Sequence, residues 1–319
     1  GAILAVLPLP IHASRTILVD TPLVFFVILA LSAILQVQEG KDRASWIAGL
    51  CIGLAAASKY TGALLLFPLI IAHILSTRSS RSRFDFLQLP ALWIGLGVSA
   101  FTFLLASPYC LLDLKAFWQD FSLERQHIAQ GHFGLDPSGA IFTYLSDLWK
   151  NFGPYLLPTL LLGLGHRFAN LKKDAQWIPP LAFTGLYLGT ISTWSMYAIH
   201  YLLPAFPCLV VLAARGISDL HGWIHRTRPL PPWISRGAIA TLLILPAGLA
   251  GLQTAWMSPT SDIRFEAQMW IQTHIPKGAR IAQEFYTPDL KSETPNRATY
   301  QTIHIPIDVI QPERSAPYY

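Results

Sequence analysis

The sequence predicts an all-α polytopic membrane protein that runs into the start of a small extracytoplasmic α/β domain. Three observations carry this expectation. Apolar residues make up 52% of the chain and charged residues only 13%, too little charge for a soluble protein of this length. The apolar residues fall in runs close to the length that crosses a bilayer. Basic residues, 23 against 18 acidic ones, recur in alternate connecting segments, which is the pattern of a membrane topology rather than of a nucleic-acid surface.

Nine spans are predicted, at 1–14, 21–38, 45–57, 62–76, 88–106, 152–165, 177–194, 198–214 and 237–256. The third and fourth are short, and Gly49, Gly53 and Gly62 in and beside them suit tight packing against neighbours. One set of connections carries Lys41 and Arg43, then Arg78, Arg81 and Arg83, then Arg167, Lys172 and Lys173, then Arg215, Arg226, Arg228 and Arg236. The opposite set carries fewer cations over more residues: Arg15, Lys59, Lys115, Arg125 and Lys150. The first set is therefore predicted to be cytoplasmic, with the stretch 14–22 and the C-terminal tail on the periplasmic side of the inner (plasma) membrane.

Residues 1–256 form the predicted membrane module, and 107–151 its long external loop. Within that loop Leu114, Phe117, Trp118 and Phe121 follow Asp113 at helical spacing, which predicts an amphipathic helix in the membrane interface with Asp113 as its N-cap. Residues 221–232 form a basic linker near the headgroups. From 257 to 319 the composition turns polar. Ser261 and Asp262 can cap a helix to about His274, Pro276, Lys277 and Gly278 make a turn, and 279–286 reads as a strand. The opening on Gly1, partway into an apolar run, leads us to expect a segment of a longer protein. Cys51, Cys110 and Cys208 are too dispersed for a disulfide framework or a metal knuckle.

The candidate functional residues come from distant segments that share the external face. Asp20, directly before Thr21 and Pro22, suits a helix N-cap and equally a catalytic or metal-binding carboxylate. Arg15 suits a snorkelling cation or an anion contact. Lys59, in Ser58-Lys59-Tyr60-Thr61-Gly62, runs against the positive-inside bias, which points to a fixed anionic partner such as a phosphate. Glu124 and His127, three residues apart, could hold a divalent metal or form a surface pair, and His132 on a Gly-flanked turn could join them. His200 and Tyr201 open the eighth span, where an aromatic belt is the plain alternative. No GxSxG, HExxH or phosphate-cradling glycine loop occurs, which removes support for serine hydrolase, zinc protease and nucleotide hydrolase chemistry.

Taken together, these motifs resemble the GT-C superfamily of integral-membrane glycosyltransferases, in the branch related to protein O-mannosyltransferases and the lipid A aminoarabinose transferase. The matching stretches are 14–26 with its Asp-Thr-Pro, 53–62 with its Ser-Lys-Tyr, Ser107-Pro108-Tyr109 with Leu111-Leu112-Asp113, Gln126-His127 with Gly131-His132, and His200-Tyr201-Leu202-Leu203-Pro204, followed by 275–282. The resemblance implies an inverting transfer of a sugar from a polyprenyl- or dolichyl-phosphate donor to an extracytoplasmic protein, lipid or glycan. Membrane lipid and lipid-linked sugar are then the partners, nucleic acid is not one, and a divalent metal ion is a possible cofactor. The resemblance also implies that the main catalytic acid lies in an external loop upstream of residue 1. The segment alone would then be inactive, with Asp20 in a supporting catalytic role. Lys59, with Arg15 and Arg125, would bind the donor phosphate, and Tyr60, Tyr201 and His200 would line the substrate. His200 stands where the family's pattern leads one to expect Arg. The rival expectation is a non-catalytic carrier-lipid or polysaccharide-export membrane protein using the same surface.

Overall fold

The computed structural model of the chain describes residues 1–77, 85–130, 140–227, 231–256, 263–283, 287, 288, 290 and 300–304. It divides into two units, Gly1–Trp256 and Met257–Tyr319.

The first unit opens with α1 (Ala2–Val6) and α2 (Pro8–Ser14), where a single span over 1–14 is predicted from sequence. Two helices form because Pro8 has no N–H to continue the ladder and drives Leu7 to φ −71°, ψ 139°. The Leu9 N–H freed at this break donates to Asn151 Oδ1 at 2.8 Å. A polar side chain from far along the chain thus satisfies a backbone group that membrane surroundings could not.

Next come α3 (Asp20–Gln38), α4 (Ala44–Ser58), a 3-10 turn at Tyr60–Leu65 leading into α5 (Leu66–Ser76), and α6 (Pro90–Ala106). α4 packs against both α3 and α6. A Cβ on Gly49 would sit 2.3 Å from the Gly95 carbonyl oxygen, and one on Gly53 2.6 Å from that of Ser99. The glycines therefore let two backbones approach where lipid-exposed helices have little else to draw them together.

The segment 107–151, predicted as a loop with one helix in it, is largely helical where described: α7 (Tyr109–Leu112), α8 (Leu114–Gln130) and the first part of α9 (Ala140–Ala169). Asp113 Oδ1 accepts the Ala116 N–H at 3.0 Å, the N-cap bond expected at the start of α8. α9 bends at Gly153, whose φ of 67° and ψ of −179° suit glycine alone, with Pro154 following. Then come α10 (Ile178–Ser192), a 3-10 stretch at Ile199–Ala205 leading into α11 (Phe206–Thr227), and α12 (Pro232–Trp256). α9 and α11 cross where Gly163 and Gly216 meet. A Cβ on Gly216 would fall 1.8 Å from the Thr159 carbonyl oxygen.

Each of the nine apolar segments is thus mostly helical. By length and composition, Asp20–Gln38, Ile199–Thr227 and Gly237–Trp256 are sufficient to cross a membrane, while Ala44–Ser58, Tyr60–Ser76 and Pro90–Ala106 are apolar but shorter. This is an all-α membrane architecture. Its core is closed by Leu23 and Ile34 of α3, Ile52 of α4, Phe183 of α10 and Phe206 of α11, all fully buried.

In the second unit, α13 (Ile263–His274) is followed by β1 (Arg280–Gln283) and β2 (Gln301–His304), paired in parallel with Arg280 opposite Gln301 and Gln283 opposite His304. Gly278, at φ 85°, makes the turn expected there. The Tyr300 hydroxyl reaches the carbonyls of Ile271 at 3.3 Å and Ile275 at 3.4 Å. The capping residues Ser261 and Asp262 lie outside the described residues.

Candidate functional site

Two tight backbone features deliver the site's charges to one place. At the end of α4 the chain turns sharply. Lys59 is extended (φ −159°, ψ 133°), its N–H donates to the Ala55 carbonyl at 3.0 Å, and its own carbonyl accepts the Gly62 N–H at 2.8 Å. A Cβ on Gly62 would lie 2.5 Å from the Ala55 carbonyl oxygen, so the turn requires glycine. The second feature is the start of α3, where Asp20 is the first helical residue. Asp20 is not the N-cap expected from sequence: Val19 holds that position, and the helix start has no side-chain cap bond. The carboxylate is turned onto the Lys59 ammonium instead, with Nζ 2.9 Å from Oδ1.

The 3-10 stretch at Ile199–Ala205 packs against α2 and α3 and completes the cluster. His200 Nε2 stands 3.8 Å from Asp20 Oδ2, and the Tyr201 ring lies under the Lys59 ammonium at 4.1 Å. The Tyr187 hydroxyl of α10 donates to the Tyr201 carbonyl at 3.0 Å, fixing that backbone. Asp20, Lys59, His200 and Tyr201, four of the residues singled out by sequence, are thereby brought together from three segments.

Burial is uneven across the pair. The Asp20 side chain is 1% exposed and that of Lys59 20%. The carboxylate is shut in, while the ammonium keeps a path to the surface. An ammonium has three N–H donors; with one given to Asp20, others remain for an incoming oxyanion, and the aromatic face beneath stabilises the cation without competing for them.

The other sequence candidates are placed differently. Arg15 Nη1 donates to the Ala255 carbonyl at 2.5 Å, one of the orphan carbonyls at the end of α12. Tyr60 packs its ring against Phe103 of α6 at 6.4 Å and against Phe117 and Phe121 of α8 at 6.4 and 5.7 Å. Its hydroxyl is pushed above the ordinary tyrosine value, first by burial and then by Cys110, Asp120 and Glu124 nearby. Glu124 and Arg125 are exposed on α8, and the side chain of His127 and all of His132 lie outside the described residues. Among the described residues no three His, Cys, Asp or Glu side chains gather to hold a metal ion, so the expectation of a metal at Glu124, His127 and His132 rests on the sequence.

A second polar cluster escaped the sequence reading. Asp147, 3% exposed on the first part of α9, accepts a short hydrogen bond from the Tyr197 hydroxyl and faces Lys150 Nζ at 3.4 Å. Tyr144 stacks obliquely on Tyr197 with centroids 5.2 Å apart. The Tyr197 hydroxyl is held above its ordinary value by burial first, then by its bond to Asp147 and that carboxylate's charge. This network anchors the segment leading into His200. Its one sequence signal was an acidic residue amid aromatic ones in a stretch predicted to be loop.

The family model of dolichyl-phosphate-mannose-protein mannosyltransferase matches residues 1–109, the stretch holding both Asp20 and Lys59. Over those residues the chain is similar to that family. Comparison with curated proteins and with solved structures found no significant match.

Proposed function

We propose that this membrane protein is a glycosyltransferase of GT-C type that transfers a sugar from a polyprenyl- or dolichyl-phosphate donor to an extracytoplasmic acceptor, with inversion at the anomeric carbon. The observation that carries the reading is the Asp20–Lys59 pair, an ammonium held by a buried carboxylate yet open on one side. A buried ion pair is costly to keep, and a site that must receive a phosphate supplies the reason to keep one. An apolar cleft of about 100 Å³, lined by Ala13, Thr21, Val24, Leu203 and Phe206 from the same helices and 3-10 stretch, suits an isoprenoid chain.

In the proposed step the acceptor hydroxyl oxygen bonds to the anomeric carbon as the bond from that carbon to the phosphate oxygen breaks. The electron pair leaves on the phosphate, and the acceptor's proton passes to a carboxylate base. The leaving phosphate already carries charge, so the site must neutralise it rather than protonate it. Lys59 does so with the donors not engaged by Asp20. Asp20 holds the ammonium in place and has the supporting rather than the principal catalytic part. Tyr201 and His200 line the sugar.

The alternative is a non-catalytic protein that binds the carrier lipid for export. Incubating the full-length protein in membranes with a radiolabelled polyprenyl-phosphate sugar separates the two. The enzyme releases polyprenyl phosphate together with a labelled acceptor, whereas saturable donor binding without release of sugar favours the alternative and overturns the proposal.

A further inference from the structure

At the end of the bundle remote from Asp20, α3, α10 and α11 enclose a groove of about 300 Å³. It is lined mainly by Ile28, Leu31, Leu35, Pro180 and Val211, with Gln176, Trp177 and Arg215 also in its wall. It is a slot for one hydrocarbon chain beside polar and aromatic groups, the order in which a phospholipid presents its own parts.

Charge identifies the headgroup. Asp219 of α11 and Asp174 in the turn ahead of Gln176 are already engaged: Asp219 takes His166 at 2.8 Å and Arg167 at 3.0 Å, and Asp174 takes Arg167 at 2.8 Å; Glu39, just past α3, takes Lys41 at 2.7 Å. Arg215 is exposed and forms no ion pair among the described residues, and exposed Lys172 and Lys173 lie in the turn just ahead of Gln176. A zwitterionic headgroup would bring its own cation to this surface; an anionic one would not.

We propose that the groove binds an anionic glycerophospholipid, with one acyl chain between α3 and α11 and the phosphate on Arg215. The site is separate from Asp20 and Lys59 and does not depend on the transfer reaction. The lipid would wedge α3, which carries Asp20, against α11, which continues the 3-10 stretch that holds His200 and Tyr201.

The test is native mass spectrometry of the full-length protein with equal amounts of phosphatidylglycerol and phosphatidylethanolamine of the same chains. The wild type is expected to retain phosphatidylglycerol about fivefold better, the worth of roughly one cation at a charged bilayer surface. Arg215→Gln should abolish the preference while Arg215→Lys keeps it, and Val211→Trp, at a half-exposed groove position, should lower retention of both lipids. A thermal melt of each variant confirms that it is folded. Equal retention of the two lipids by the wild type, or an unchanged preference in folded Arg215→Gln, would overturn the proposal. So would full lipid retention in folded Val211→Trp.

Discussion

The Lys59 ammonium lies 2.9 Å from Asp20 Oδ1 across a sequence gap of 39 residues. The two ends of this contact are not equivalent. Loss of Lys59 strands a carboxylate that is 1% exposed, whereas loss of the carboxylate leaves an ammonium with 20% exposure above an aromatic ring.

Stability should follow that asymmetry. Lys59→Ala is expected to destabilise the protein by about 3–5 kcal/mol, the usual penalty for an unpaired buried charge, and Asp20→Asn by less. The double variant should lose less than the sum of the two. Thermal unfolding of the four proteins in one detergent measures the coupling, and strictly additive losses would mean that the pair is not a unit.

The crossing of α9 and α11 gives a steric prediction. Gly216→Leu must displace the Thr159 carbonyl from 1.8 Å and should abolish accumulation of folded protein. Gly97→Ala, where a Cβ meets nothing within 4 Å, should be neutral or gain up to about 1 kcal/mol from helix propensity. Fluorescence-detected size-exclusion profiles of the two variants decide it.

Alkaline pH should loosen the segment before His200. The hydroxyls of Tyr144 and Tyr197 are both raised above the ordinary value of 10.0, burial being the largest cause. The unfolded chain releases these protons near pH 10 while the folded chain still holds them. Their contribution is therefore complete below pH 10 and is lost as pH climbs above it. Tyr197→Phe should cost about 1–3 kcal/mol at neutral pH by leaving Asp147 short of a donor, and should flatten the alkaline fall in melting temperature. An alkaline fall as steep as that of the wild type would remove Tyr197 as its source.

Tyr60 joins α6 to α8 through ring contacts worth about 0.5–1.5 kcal/mol each. Tyr60→Ala should speed tryptic cleavage after Lys115 and Arg125 of α8, and Tyr60→Phe should leave it near the wild-type rate. Identical cleavage in all three proteins would show that the cluster does not hold α8.

Asp20 and Lys59 were legible from sequence because charge between apolar runs is costly and so marks a task, and the alternation of cations placed both on one face. Their contact was not legible. Asp20 satisfied every rule for an N-cap, and only the extended geometry of Lys59, forced by the Gly62 turn, draws the carboxylate away from the helix end. Asp147 escaped because the stretch around it reads as loop until Gly153 and Pro154 are seen to bend a helix there. Tyr187 is, by sequence, one more aromatic in an apolar span. Arg15 finds its carbonyl 240 residues away, and backbone acceptors leave no trace in sequence.

Sugar transfer from a polyprenyl-phosphate donor by membranes carrying the full-length protein, at matched expression of wild type, Asp20→Asn, Lys59→Ala and Lys59→Arg, is the most direct test of the central claim. The account predicts loss of transfer in Lys59→Ala by about a hundredfold or more, as for removal of a group that neutralises a leaving charge. It predicts partial recovery in Lys59→Arg and a marked fall in Asp20→Asn. Wild-type transfer in both Asp20→Asn and Lys59→Ala would contradict it.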